Sequence, residues 1–151
     1  MILRALAHGF RVFIVQFMKG DFPYGERKIL SGFPNVTLAV FGRLSFVDPS
    51  NIEEIDREEA GKALEVAREA VLSGKYDLVV LDEVNVASGW GLVSVDDVVK
   101  LIEEKPEHVE LILTGRYADE RLMALADLVT QMNDIKHPYH KGIKARAGLD
   151  Y

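Results

Sequence analysis

The chain has 151 residues, 48% of them hydrophobic and 28% charged, the size and balance of one globular domain able to bury a core. Its net charge of −6 argues against a broad surface for nucleic acid, and the absence of cysteine excludes disulfides, thiolate metal sites and a cysteine nucleophile. No apolar run approaches the ~20 residues of a membrane span, and the stretch from Met1 to Gly9 is too short for a secretory leader, so the expectation is a soluble cytoplasmic protein.

Residues 2–8 read as the last turns of a helix, with Leu3, Leu6 and Ala7 on one face and His8-Gly9 as its stop. Arg11 to Phe17 is a buried-strand run that ends in Met18-Lys19-Gly20. Asp21 to Gly25 is loop by its Pro and Gly, Glu26 to Leu30 a short helix, and Asn35 to Phe41 the next strand. Residues 42–50 are irregular, with Ser50 or Asn51 as a cap. Ile52 to Leu72 is helical, its apolar stripe running through Ile55, Ala63, Val66, Ala67, Ala70 and Val71. Leu78 to Leu81 then runs apolar into Asp82-Glu83. Val84 to Gly91 is a Gly-interrupted loop or short helix. Ser94 caps a helix from Val95 to Glu104 that faces Val98, Val99 and Ile102 inward, and Pro106 ends it. Val109 to Leu113 is another strand, closing in Thr114-Gly115-Arg116. Asp119 starts a helix to Ala126, Leu128 to Met132 reads as a short last strand, and 136–151 shows no periodicity. The division expected is one α/β domain over 1–135 and an irregular basic tail over 136–151.

Continuous apolar strands alternating with helices predict a three-layer α/β domain, a mostly parallel sheet with helices on both faces. Right-handed crossovers put every strand's carboxyl end on one edge, where open α/β sheets bind ligands. That edge gathers Lys19, the residues after Phe41, the Asp82-Glu83 pair, and Thr114-Gly115-Arg116. A strand ending in Asp-Glu is the Walker-B pattern, in which a carboxylate holds Mg²⁺ directly or through water. Cations beside it suit a metal-bound polyphosphate. Each residue also has a plainer reading. Asp82 reads as a cap for the next helix, with Glu83 in its first turn. Lys19 reads as a solvated charge, Arg116 as a partner of Asp119 or Glu120, Glu26-Arg27 as surface, and Trp90 as a core anchor. The four histidines lack metal-ligand spacing.

Taken in order, several stretches resemble the P-loop type ATP:corrinoid adenosyltransferases. They are Gly9-Phe10-Arg11-Val12 through Val15-Gln16-Phe17-Met18-Lys19-Gly20, Gly25-Glu26-Arg27, Leu78 through Glu83, Ile112 through Arg116, and Ala126-Asp127-Leu128-Val129-Thr130. The terminal Lys136-His137-Pro138-Tyr139 and Lys141-Gly142-Ile143-Lys144-Ala145-Arg146-Ala147-Gly148-Leu149-Asp150-Tyr151 complete the resemblance. It implies a P-loop NTPase (RecA-like) fold, here without its first strand. It also implies transfer of the 5′-deoxyadenosyl group of ATP to Co(I) of a corrinoid, leaving triphosphate. With it come Mg²⁺, ATP as co-substrate, a homodimer and a flavodoxin-type reductant. Glu83 would bind the metal with Asp82 in support. Lys19, Thr114 and Arg116 would stand near the phosphates, an assignment argued from their strand-end positions.

Two departures accompany the resemblance. The family's Gly-x-Gly-Lys-Gly-Lys-Thr phosphate loop has no counterpart among these residues. The corrinoid-facing loop, a Gly followed by Phe and Trp in the family, is Gly42-Arg43-Leu44-Ser45-Phe46 here, so Leu44 and Phe46 take the aromatic places. The alternative reading is a catalytically impaired corrinoid- or partner-binding relative, or a fragment of that fold.

Overall fold

The structure is a computed structural model and describes residues 1–149; Asp150 and Tyr151 of the terminal motif lie outside the described residues. Four strands, β1 (Val12–Gln16), β2 (Val36–Val40), β3 (Leu78–Asp82) and β4 (Glu110–Leu113), form one all-parallel sheet in the order β2-β1-β3-β4. The helices are α1 (Ile2–Ala7), α2 (Gly25–Leu30), α3 (Glu54–Leu72), α4 (Val84–Gly89), α5 (Val95–Glu104) and α6 (Glu120–Leu125), with a 3-10 turn at Pro138–Lys141.

The expected three layers follow from side-chain alternation. Val12, Ile14, Leu78 and Val80 point to one face, where Ile2, Ala5, Leu6 and Leu30 of α1 and α2 cover them. Phe13, Val15, Phe17, Val79 and Leu81 point to the other, against α3, α5 and α6. The α3 stripe is largely alanine, Ala60, Ala63, Ala67 and Ala70, which lets that helix backbone approach the sheet closely. Ile55, expected in this stripe, is 40% exposed, and the buried place falls to Asp56. The cap of α3 is Glu53 rather than Ser50 or Asn51. Glu53 and Asp56 form a reciprocal capping box, so two helix-start N–H groups are satisfied at once.

The stretch Leu128 to Met132 is not a strand. Residues 127–137 adopt no regular element, and Leu128 and Met132 are exposed. A strand exists only where a neighbour takes its backbone groups, and among the described residues β4 pairs with β3 alone.

At the amino end of the sheet, Asp77 ties β3 to β1. The Arg11 backbone N–H donates to it at 2.8 Å and the guanidinium at 2.9 and 3.1 Å. The guanidinium beside it holds the Asp77 carboxyl at about 2, well below the usual carboxylate range.

Candidate functional site at the carboxyl edge of the sheet

Parallel register sets Gln16 of β1 directly beside Asp82 of β3. Both close otherwise apolar strands, so two polar side chains meet at the sheet's carboxyl edge. The Gln16 amide Nε2 lies 3.5 Å from Asp82 Oδ2, and Lys19 Nζ lies 3.8 Å from the same oxygen. From β4's end, the Thr114 hydroxyl donates to Asp82 Oδ1 at 2.9 Å and accepts the Glu83 N–H at 3.0 Å. Lys19, Asp82, Glu83 and Thr114 are thus brought together as expected. Asp82 does not cap α4. Glu83 is the residue at the cap position, and it makes no side-chain cap bond.

Among the described residues, three other than glycine take left-handed backbone angles: Met18 (φ 58), Glu83 (φ 68) and Tyr117 (φ 66). Each lies just beyond a strand's carboxyl end, and such a conformation costs roughly 1–2 kcal/mol per residue. At Glu83 it turns the chain sharply from β3 into α4. The Glu83 carboxylate makes no hydrogen bond or ion pair among the described residues, and Gly115 makes room for it. A Cβ on Gly115 would stand 3.1 Å from both Glu83 Oε2 and the Val86 N, and its φ of +115 favours glycine. Among the described residues no group of three or more His, Asp or Glu side chains could hold a metal. Two adjacent carboxylates fit Mg²⁺ nonetheless, because that ion keeps several waters and takes one or two carboxylates plus substrate phosphates.

Arg116 is exposed and makes no ion pair among the described residues. Its guanidinium lies over the Tyr117 ring, 5.4 Å from the centroid, and the structure does not join it to the acids. Its plainer partner, Asp119, accepts instead from Arg121.

Leu44 and Phe46 stand in the loop between β2 and α3, 78% and 74% exposed. Phe46 lies 6.0 Å from the Phe22 ring, which lies 4.9 Å from Tyr24, so apolar side chains of two loops border the edge together. Those loops touch backbone to backbone: a Cβ on Gly20 would come 2.1 Å from the Arg43 carbonyl oxygen. Arg43 anchors the second loop to α3 through Glu53 at 2.6 Å and the buried Asp56 at 2.8 Å.

Two features escaped the sequence reading. Arg27, read as surface, donates to Gln16 Oε1 at 2.7 Å and to the Gly20 and Phe22 carbonyls at 2.8 and 3.0 Å. Gln16 belongs to the stretch that carries the family resemblance but has no site role in the sequence reading. The signal was a polar residue closing an apolar run, the same signal that singled out Asp82. In the tail, His140 pairs with Asp134 and His137 accepts the Tyr139 N–H, so neither histidine gathers a metal set among the described residues.

The chain matches, over residues 1–151, the family model described as ATP:corrinoid adenosyltransferase BtuR/CobO/CobP. A corrinoid adenosyltransferase of Sinorhizobium sp is 39% identical over 153 residues, covering 100% of this chain and 72% of that protein. One from Pseudomonas aeruginosa is 36% identical over 152 residues, covering 100% and 74%. One from Escherichia coli is 32% identical over 148 residues, covering 98% and 74%.

Proposed function

This chain belongs to the ATP:corrinoid adenosyltransferase family, a family of transferases, and from that premise we propose which of its residues serve the reaction. In that reaction the electron pair of Co(I) forms a bond to C5′ of ATP, the C5′–O bond breaks, and triphosphate leaves with the bond electrons. Catalysis by the protein is then positioning and charge compensation, the cobalt supplying the chemistry.

In this reading Glu83 would hold Mg²⁺, with Asp82 in support. Mg²⁺ bound there would supply positive charge to the leaving triphosphate. Lys19 neutralises phosphate charge from β1's side. Thr114 orients the pair through its two hydrogen bonds, and Arg116 swings from Tyr117 toward the phosphates when they bind. Leu44 and Phe46 present an apolar face to the corrinoid. The observation that carries this reading is the contrast within the acid pair: Asp82 is held by Thr114 and Lys19, whereas the Glu83 carboxylate has no hydrogen bond or ion pair among the described residues. The test is the absorbance change on mixing the protein with ATP, Mg²⁺ and chemically reduced corrinoid. Adenosylcorrinoid forms if the reading holds, and its formation stops in Glu83→Gln.

A second reading, corrinoid binding without turnover, draws on the corrinoid-facing loop, where Leu44 and Phe46 stand in place of the Phe and Trp that the resemblance implies. Corrinoid titration with a saturable spectral change, and no product with ATP, would select this reading. A cytoplasmic homodimer and a flavodoxin-type electron donor complete the proposal, with the family as their support.

A further inference from the structure

We propose that Arg27 is a positioning residue that fixes the orientation of the Asp82 carboxylate through the Gln16 amide. The proposal rests on the reading of Asp82 as support for a metal–triphosphate site.

A glutamine amide has an oxygen that only accepts and a nitrogen that only donates, and its terminal group flips readily unless its neighbours distinguish the two. Arg27 offers only donors, so the Gln16 atom 2.7 Å from its Nε is the oxygen. The Gln16 nitrogen must then be the atom that faces Asp82 Oδ2. Asp82 demands the same orientation from the other side, because a carboxylate accepts and cannot donate. Gln16 is 3% exposed, so no bulk water competes for either end.

Arg27 is itself locked. Its Nη1 donates to the carbonyls of Gly20 and Phe22, its Nη2 is buried with no partner among the described residues, and its guanidinium lies 5.1 Å from the Tyr24 ring centroid. Lys19 lies over the same ring at 4.5 Å. One guanidinium therefore sets both the loop that carries Lys19 and the amide that reaches Asp82. With a donor on each Asp82 oxygen, from Gln16 and from Thr114, the carboxylate is held in one orientation and direct coordination falls to Glu83. Partners of this kind, one step removed from a metal, typically govern affinity by 10–100-fold.

The test uses the full chain and the variants Arg27→Ala, Gln16→Met and their double. The first readout is the Gln16 side-chain amide pair in a ¹H–¹⁵N spectrum, identified by its loss in Gln16→Met. In the unaltered protein the two protons are well separated and exchange slowly; in Arg27→Ala they move to solvent-like shifts and exchange fast. The second readout is Mn²⁺ binding in the presence of inorganic tripolyphosphate, followed by electron paramagnetic resonance. Each single variant weakens binding by about 10-fold. The double variant is also weaker by about 10-fold, not about 100-fold, because both changes break one chain of contacts. An unchanged Gln16 signal in Arg27→Ala, or multiplicative losses in the double variant, overturns the proposal. If Arg27→Ala does not fold, Gln16→Met alone decides: unchanged Mn²⁺ affinity overturns the proposal and a loss of about 10-fold supports it. If the unaltered protein binds no Mn²⁺ with tripolyphosphate, the metal reading of the acids fails, and the Gln16 signal still decides whether Arg27 positions the amide.

Discussion

Asp82 and Glu83 are neighbours in sequence and opposites in surroundings. Asp82 is tied to Thr114 and Lys19, while Glu83 turns its carboxylate past Gly115 with no hydrogen-bond or ion-pair partner among the described residues. The two substitutions should therefore behave differently. Glu83→Gln should leave the urea midpoint nearly unchanged, within the about ±0.5 kcal/mol usual for a near-isosteric change that breaks no hydrogen bond or ion pair among the described residues, while removing Mn²⁺–tripolyphosphate binding. Gly20→Ala should do the reverse. A Cβ 2.1 Å from the Arg43 carbonyl, on a backbone at φ +47, has nowhere to go. The expected cost is more than about 1–2 kcal/mol in urea unfolding, and the loop bearing Leu44 and Phe46 is displaced with it. Much of this scale was unreadable in the sequence. Asp82, Glu83, Lys19 and Thr114 were visible because each closes or follows an apolar run. Gln16, Arg27 and the Arg43–Asp56 pair have roles defined by contacts across loops, and no spacing rule encodes those.

The elements were more legible. Four apolar runs became the four strands, and Ser94 and Asp119 cap α5 and α6 as their chemistry requires. Leu128 to Met132 failed because a strand's identity depends on a neighbour as well as on its own residues. Ile55 failed because periodicity does not foresee that a buried aspartate will take the inward place. That aspartate makes a prediction at this scale: Asp56→Ala removes the capping box and leaves Arg43 without its buried partner. The loss should be on the order of 3 kcal/mol in urea unfolding, with α3 fraying first at its amino end. The clip between β1 and β3 makes another. The Asp77 carboxyl sits at about 2 when folded, below the ~3.9 of an unfolded chain. A lowered carboxylate contributes stability that is present above pH ~4 and is lost as the pH falls from there toward 2. Urea midpoints of the unaltered protein should therefore fall over that window more steeply than those of Arg11→Ala, and equal slopes would refute the account.

At the scale of the whole molecule, the sheet has a stitched end and an open end. The amino end is closed by Arg11 and Asp77, whereas the carboxyl end is bordered by loops from β1, β2, β3 and β4 that carry the candidate site. That division could be anticipated, because parallel strands joined by right-handed crossovers leave one edge for ligands. The side chains of Leu128, Met132 and Ile135 stand exposed beyond the sheet, on a segment that no strand period encodes. The homodimer proposal gives a measurable expectation here. Sedimentation should report about twice the 16.9 kDa of one chain, and a species that stays at single mass at all concentrations would reject it.

The left-handed residues Met18, Glu83 and Tyr117 carry a lesson for anyone who would engineer this protein. Glycine at any of them would relax the backbone and raise heat resistance, yet it would also erase a side chain or loosen a turn beside the site proposed to bind the triphosphate. Screens for durability and screens for turnover would thus pull these three codons in opposite directions, and a library selected only for survival at high temperature would be expected to drift toward a tougher, idle molecule.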